Sequence, residues 1–195
     1  MGDSTLGDAG AERKGSISRR RLFKIGTVIA GCALVPAAAF ADLRVPFPPQ
    51  RALKFYNLHT GESLNTVYSE NGRYVPGALA QINYILRDFR ANEIKAIDPR
   101  LLDLLYTLNR RLYTQEPFEI ISGYRSPATN AMLAARSEGV ARHSLHIEGK
   151  AADIRVPGRE LRDVWRAAMD MWSGGVGFYP RSDFVHVDVG RVRFW

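Results

Sequence analysis

Apolar and polar residues alternate along Leu53-Lys54-Phe55-Tyr56-Asn57-Leu58, the period-two pattern of a strand with one face in a core. His59-Thr60-Gly61-Glu62 reads as a turn and Leu64–Tyr68 as the returning strand, which predicts a hairpin. The pattern then becomes helical. Pro76 suits the first turn of a helix reaching about Arg90, with Leu79, Ile82, Leu86 and Phe89 on one face. Asp98 is placed to cap a second helix opened by Pro99, whose buried stripe is Leu101, Leu105, Leu108 and Leu112. Phe118–Ile121 reads as a buried strand, Ala128 to Arg136 as a short helix, and Ala151–Val156 as a further strand. Gly158 to Met171 has helical spacing, with Leu161, Trp165, Ala168 and Trp172 turned inward. After Gly174-Gly175, strands are predicted near Val176–Tyr179 and Phe184–Val189. Helices mixed with short strands in hairpin-like pairs define an α+β fold: one domain, a central antiparallel sheet, and flanking helices.

The N-terminal part follows a different plan. Arg19, Arg20, Arg21 and Lys24 precede an apolar run from Ile25 to Phe40, and Ala39-Phe40-Ala41 stands before Asp42. A basic start, an apolar middle and small residues at the end make an export signal over residues 1–41. Consecutive arginines before Leu22-Phe23-Lys24 resemble the twin-arginine type, whose pathway carries folded cargo. The predicted location is therefore outside the cytoplasm, in the periplasm, with membrane contact only during export. Two other readings are a retained anchor and lipid attachment at Cys32. The first is opposed by an apolar run of about 16 residues interrupted by Pro36, short for a span. The second is opposed by the continuation of the run past Cys32. Residues 42–195 form the working domain, entered through a proline-rich extended arm at Arg44–Gln50.

Charge and cysteine content narrow the function classes. The formal charge is +7, but the leader holds six of the 27 bases and three of the 20 acids, so the remainder is only mildly basic. It has no stripe of interleaved basic and aromatic residues, and nucleic acid is not a predicted partner. Cys32 is the single cysteine, which rules out an intramolecular disulfide and a Cys-type structural zinc site.

The chemistry concentrates in Ser144-Leu145-His146-Ile147-Glu148-Gly149-Lys150-Ala151-Ala152-Asp153. His146 and Asp153 offer a nitrogen and an oxygen donor, and Gly149 allows the sharp bend that brings both to one ion. Phe184-Val185-His186-Val187-Asp188 offers His186 on an alternating strand as a third ligand. Three protein ligands of this kind leave the fourth position of a tetrahedral Zn2+ to water, the arrangement of a catalytic site. Asp188 shares the strand face of His186 and can orient its imidazole, the favoured reading, or receive a proton. His143, three residues before His146, is read as a supporting neighbour; His59 is read as a turn residue and Glu148 as solvent-exposed.

These segments resemble the M15-type peptidases, which share a His-x-x-Gly-x-Ala-x-Asp motif and a later metal-binding His. Within them the chain is most similar to the murein endopeptidase K group, once catalogued as a domain of unknown function. The similar pieces are Phe55 to Glu62, Ile97 to Leu102, Ser122-Gly123-Tyr124-Arg125-Ser126-Pro127, the His146–Asp153 motif, and Gly174 to Pro180 leading to His186. They cover most of residues 53–190, in order. The resemblance implies that His146, Asp153 and His186 hold zinc and that Arg125 faces the metal cleft, where it stabilises substrate charge. Tyr124 beside it either packs or lines the cleft. Some relatives place a Glu three residues before the last His ligand; here that slot holds the shorter Asp183, the candidate general base, for which turn formation is the competing role. The implied substrate is the peptidoglycan stem peptide, with a cross-link joining two diaminopimelate residues as the bond. A D-Ala-D-Ala carboxypeptidase or dipeptidase, or a zinc-containing wall-binding module without turnover, shares the same ligand set. Oligomeric state is not legible.

Overall fold

The computed structural model describes residues 49–136, 141 and 143–195. The export signal of residues 1–41, with Cys32 and the predicted cut after Ala41, lies outside the described residues, as does most of the arm before Pro49.

The elements run β1 (Gln50–Asn57), β2 (Ser63–Glu70), β3 (Arg73–Tyr74), α1 (Pro76–Ile85), α2 (Pro99–Arg111), β4 (Phe118–Ser122), α3 (Pro127–Arg136), β5 (Ala151–Arg155), α4 (Leu161–Met169), β6 (Gly175–Tyr179), β7 (Phe184–Asp188) and β8 (Arg193–Phe194). All eight strands join one sheet in the order β3-β2-β1-β4-β5-β7-β6-β8. The central run β4-β5-β7-β6 is antiparallel throughout, as predicted. Two pairings outside it, β1 with β4 and β6 with β8, are parallel, so the whole sheet is mixed. The domain is α+β.

In β1, which pairs with β2 in a hairpin, every second residue turns inward: Leu53 and Phe55 are buried while Ala52 and Lys54 are exposed. In α2, the Asp98 carboxylate accepts the Arg100 amide at 3.0 Å and Pro99 opens the first turn. Its apolar stripe, Leu101, Leu105 and Leu108, is fully buried. Helix α2 packs on β1 and on α4, and α4 packs on β6 and β7. Ala152, Ile154, Val185 and Val187 point to this helix-covered side and join the core. Residues one position out of phase with them, Asp153, His186 and Asp188, therefore share the opposite face of the same strands.

Two predicted helices are shorter than their apolar patterns suggest. Helix α1 ends at Ile85 rather than near Arg90, because the next residues are taken by distant partners. Leu86 O accepts the Tyr124 amide at 2.7 Å, Arg87 pairs with Glu62 at 2.8 Å, and the buried Asp88 carboxylate accepts the amides of Arg90 and Ser126. Helix α4 ends at Met169, and Trp172, predicted to turn inward, sits at φ 49° and is 70% exposed. Strand β8 has no counterpart in the predicted elements. Among the described residues, no helix is long and apolar enough to cross a membrane.

Candidate metal centre

The loop between α3 and β5 makes a tight bend that delivers His146 to the sheet. Gly149 sits there at φ 69°, and a Cβ on it would come within 2.4 Å of the Ala96 carbonyl oxygen. The position therefore needs glycine for its backbone angle and for the close approach of residue 96. The Arg125 amide bonds the His146 carbonyl at 3.2 Å, tying the bend to the segment after β4.

Asp153 and His186 are direct partners in the β5–β7 register, so their side chains leave the same face side by side. With His146 they form the only group of three or more His, Cys, Asp or Glu among the described residues whose ligand atoms converge within 4.8 Å. Asp153 Oδ1 lies 3.1 Å from His146 Nε2 and 2.9 Å from His186 Nδ1, and the two nitrogens are 3.2 Å apart. Ligands about 2.1 Å from a tetrahedral zinc stand about 3.4 Å from one another, so the triangle is close to the size that one first-row ion requires. All three residues are buried.

Hydrogen bonds behind the triangle fix which nitrogen each imidazole presents. His146 Nδ1 is 2.7 Å from the Gly123 carbonyl oxygen, which can only accept, so Nδ1 carries hydrogen and Nε2 keeps its lone pair. His186 Nε2 donates to Asp188 Oδ2 at 3.0 Å, which turns Nδ1 toward the cluster. Asp188 is fully buried and accepts from the Gly175 and Gly190 amides and from both terminal nitrogens of Arg193. The expected orienting role of Asp188 has this geometry. Arg193, which anchors Asp188, was not singled out by its sequence context.

The charges follow from these contacts. Burial alone would raise the Asp153 carboxyl, but His146 and His186 outweigh it and hold Asp153 well below the ordinary carboxylate range. Burial pushes His146 down despite Asp153 and so favours its neutral form. In His186 burial also favours the neutral ring, yet the bonds to Asp153 and Asp188 prevail and raise it to about 9. Below pH 9 the metal-free His186 thus holds a proton that an ion must displace. Apparent metal affinity should rise with pH, by about tenfold per unit up to pH 9, with a proton released on binding. Titration calorimetry in buffers of different ionisation enthalpy measures that release; pH-independent binding without proton release would contradict it.

Beside the triangle lies a cavity of about 360 Å3, so the cluster is open on one side rather than enclosed by donors. Arg125 lines it while 8% exposed. Its Nη2 donates to Asp153 Oδ2 and Ser122 Oγ, at 3.2 and 3.1 Å, and its Nη1 to Asn130 Oδ1 at 3.4 Å. Its Nε, buried, has no partner among the described residues. His143 is exposed on the cavity wall. Tyr124 is buried and does not line the cavity; Lys95 Nζ lies 5.7 Å from its ring centre. Asp183 lies between the lining residues Ser182 and Phe184 but is not itself in the lining; its carboxylate is exposed and pairs with Arg155 at 2.6 Å. Its φ of 52° also fits a turn residue. His59 stacks on Phe89 and reaches the Ile121 carbonyl, and Glu148 pairs with Lys150 in solvent, both away from the metal cluster. The aromatic part of the cavity wall, Tyr179, Phe184 and Trp195, was not anticipated.

An open His-Asp-His cluster with a buried arginine, on one face of the antiparallel run of the sheet, is consistent with metal-dependent hydrolysis, and the class of protein is an M15 peptidase. The model of the family described as peptidoglycan L,D-endopeptidase MepK matches residues 47–195, and the chain belongs to that family. A peptidoglycan L,D-endopeptidase MepK of Escherichia coli (strain K12) is 48% identical over 178 residues, 91% of this chain and 97% of the relative. The protein of that name from Shigella flexneri aligns with the same identity and coverage. A "Probable peptidoglycan L,D-endopeptidase MepK" of Haemophilus influenzae is 38% identical over 179 residues, 91% of this chain and 95% of the relative.

Proposed function

We propose that this protein is a zinc-dependent endopeptidase of the cell envelope that hydrolyses peptidoglycan stem-peptide cross-links, cutting between an L- and a D-centre where two diaminopimelate residues meet. The observation that carries the reading is the convergence of His146 Nε2, Asp153 Oδ1 and His186 Nδ1 beside an open cavity, in a member of this family. Zinc suits the donor set, two imidazole nitrogens and a carboxylate oxygen without thiol. Bound there, it supplies Lewis-acid activation of water and of the scissile carbonyl.

The protein's own groups do the rest. Arg125, held on three sides by Ser122, Asn130 and Asp153, brings a fixed positive charge to the cavity for the carbonyl oxygen on which charge develops. Asp188 and the Gly123 carbonyl keep the two imidazoles in fixed tautomers. Asp183 takes the proton of the attacking water; the support for it is its position three residues before His186, between two residues of the cavity wall. To act, its carboxylate must turn from Arg155 into the cleft. Asp183→Ala should lower kcat about 10^2-fold while zinc stays bound. Wild-type turnover in that variant would remove Asp183 from the reaction.

Digestion of purified muropeptides tests the function itself. Cross-linked dimers should be split to monomers, whereas loss of a terminal residue from monomers alone would make the enzyme a carboxypeptidase. Binding to sacculi without soluble products, in zinc-replete protein, would make it a wall-binding module. The leader of residues 1–41 supports delivery to the periplasm by the twin-arginine route.

A further inference from the structure

The lining of the cavity beside the metal cluster is partly cationic and partly aromatic. Arg125, Arg193 and the exposed His143 supply polar groups. Tyr179, Phe184 and Trp195 supply an aromatic wall, with the Arg193 guanidinium 5.0 Å from the Trp195 ring centre. Tyr179 and Phe184 are register partners on β6 and β7, and their rings stack with centroids 4.5 Å apart. Trp195 follows β8 and donates from its indole N–H to the Tyr179 hydroxyl at 2.8 Å, which fixes both rings. The space it occupies is kept by Gly177, where a Cβ would stand 2.6 Å from the indole. That glycine pairs directly with His186, and the indole and imidazole centroids are 5.3 Å apart. Even so the indole is 47% exposed, so a rigid apolar surface is presented within one residue's length of the reacting atoms.

A surface this close to the metal cluster meets the residue at the scissile bond, not the glycan. Resting on the cross-link reading above, that residue is a diamino acid: charged groups at its ends, a run of methylenes between them. Its carboxylates do not suit an aromatic wall; its methylenes do. We infer that Trp195, with Tyr179 and Phe184, forms the subsite for the aliphatic chain of the diamino acid at the cleaved bond and sets the preference for that residue.

The test couples a change in the wall to a change in the ligand. Two stem tripeptides, one ending in diaminopimelate and one ending in alanine, are titrated calorimetrically into zinc-loaded wild type, Trp195→Ala and Trp195→Phe. Burying two methylenes corresponds to about tenfold in affinity. Trp195→Ala should therefore weaken the diaminopimelate peptide by about tenfold and the alanine peptide by less than about twofold; Trp195→Phe should retain most of the difference. Equal losses on both peptides, no loss on either, or no measurable binding to wild type would overturn the assignment. Loss of zinc from Trp195→Ala would also overturn it, by assigning the indole to the support of His186. Because these peptides are bound and not cut, the outcome is separate from the digestion of dimers, whose failure would count against the endopeptidase reading alone.

Discussion

His186→Ala protein should lose bound metal and peptidoglycan hydrolysis together, with activity lower by about 10^3-fold or more. The effect is large because His186 holds two positions at once. Its Nδ1 closes the triangle with His146 and Asp153, and its Nε2 neutralises the fully buried Asp188. Alanine removes one of the three converging groups and leaves Asp188 to the Arg193 side chain and two amides. His146→Ala should have the same double effect through the other imidazole. Metal analysis and dimer digestion on one preparation, with circular dichroism to confirm folding, check both. Full metal content without activity would mean that the side chain acts in the reaction and not as a ligand.

Arg125→Ala should lower kcat by about 10^2- to 10^3-fold with the metal retained. This guanidinium is buried at the cavity wall, where its charge is less screened than on a surface, and burial lowers its pKa from the ordinary arginine value. Arg125→Lys keeps a charge but cannot reproduce a fork that reaches Ser122, Asn130 and Asp153 together, so it should recover only a small part of the loss. Steady-state kinetics on cross-linked dimers measure this. A rise in KM with kcat unchanged would limit Arg125 to substrate binding.

What the sequence revealed depended on how far apart the interacting residues lie. His146, Gly149 and Asp153 fall within one short segment, and residue types and spacing there were enough to point to a bend and to two of the three residues that converge. His186 could be placed by strand alternation, because period-two spacing put it on one face with Asp188; the register that sets it opposite Asp153 is a property of the sheet. The helix boundaries show the opposite case. Apolar spacing carried α1 on to Phe89, but Arg87 and Asp88 have partners 25 and 38 residues away, and those contacts end the helix. Phe89 then stacks on His59. Trp172 was assigned to the core by the same spacing and is exposed, since the chain leaves the helix before reaching it. The aromatic wall was hidden for a related reason: Tyr179 and Phe184 come from two strands and Trp195 follows a third, β8, which is too short to show an alternating pattern.

The central claim is that one ion, held by His146, Asp153 and His186, makes this fold a hydrolase. Chelator-stripped protein titrated with zinc, while soluble products released from sacculi are followed, tests it most directly. Activity should be absent at the start, rise linearly and saturate at one equivalent per chain. Full hydrolysis by the stripped protein, or zinc uptake at these residues with no activity at saturation, would contradict it.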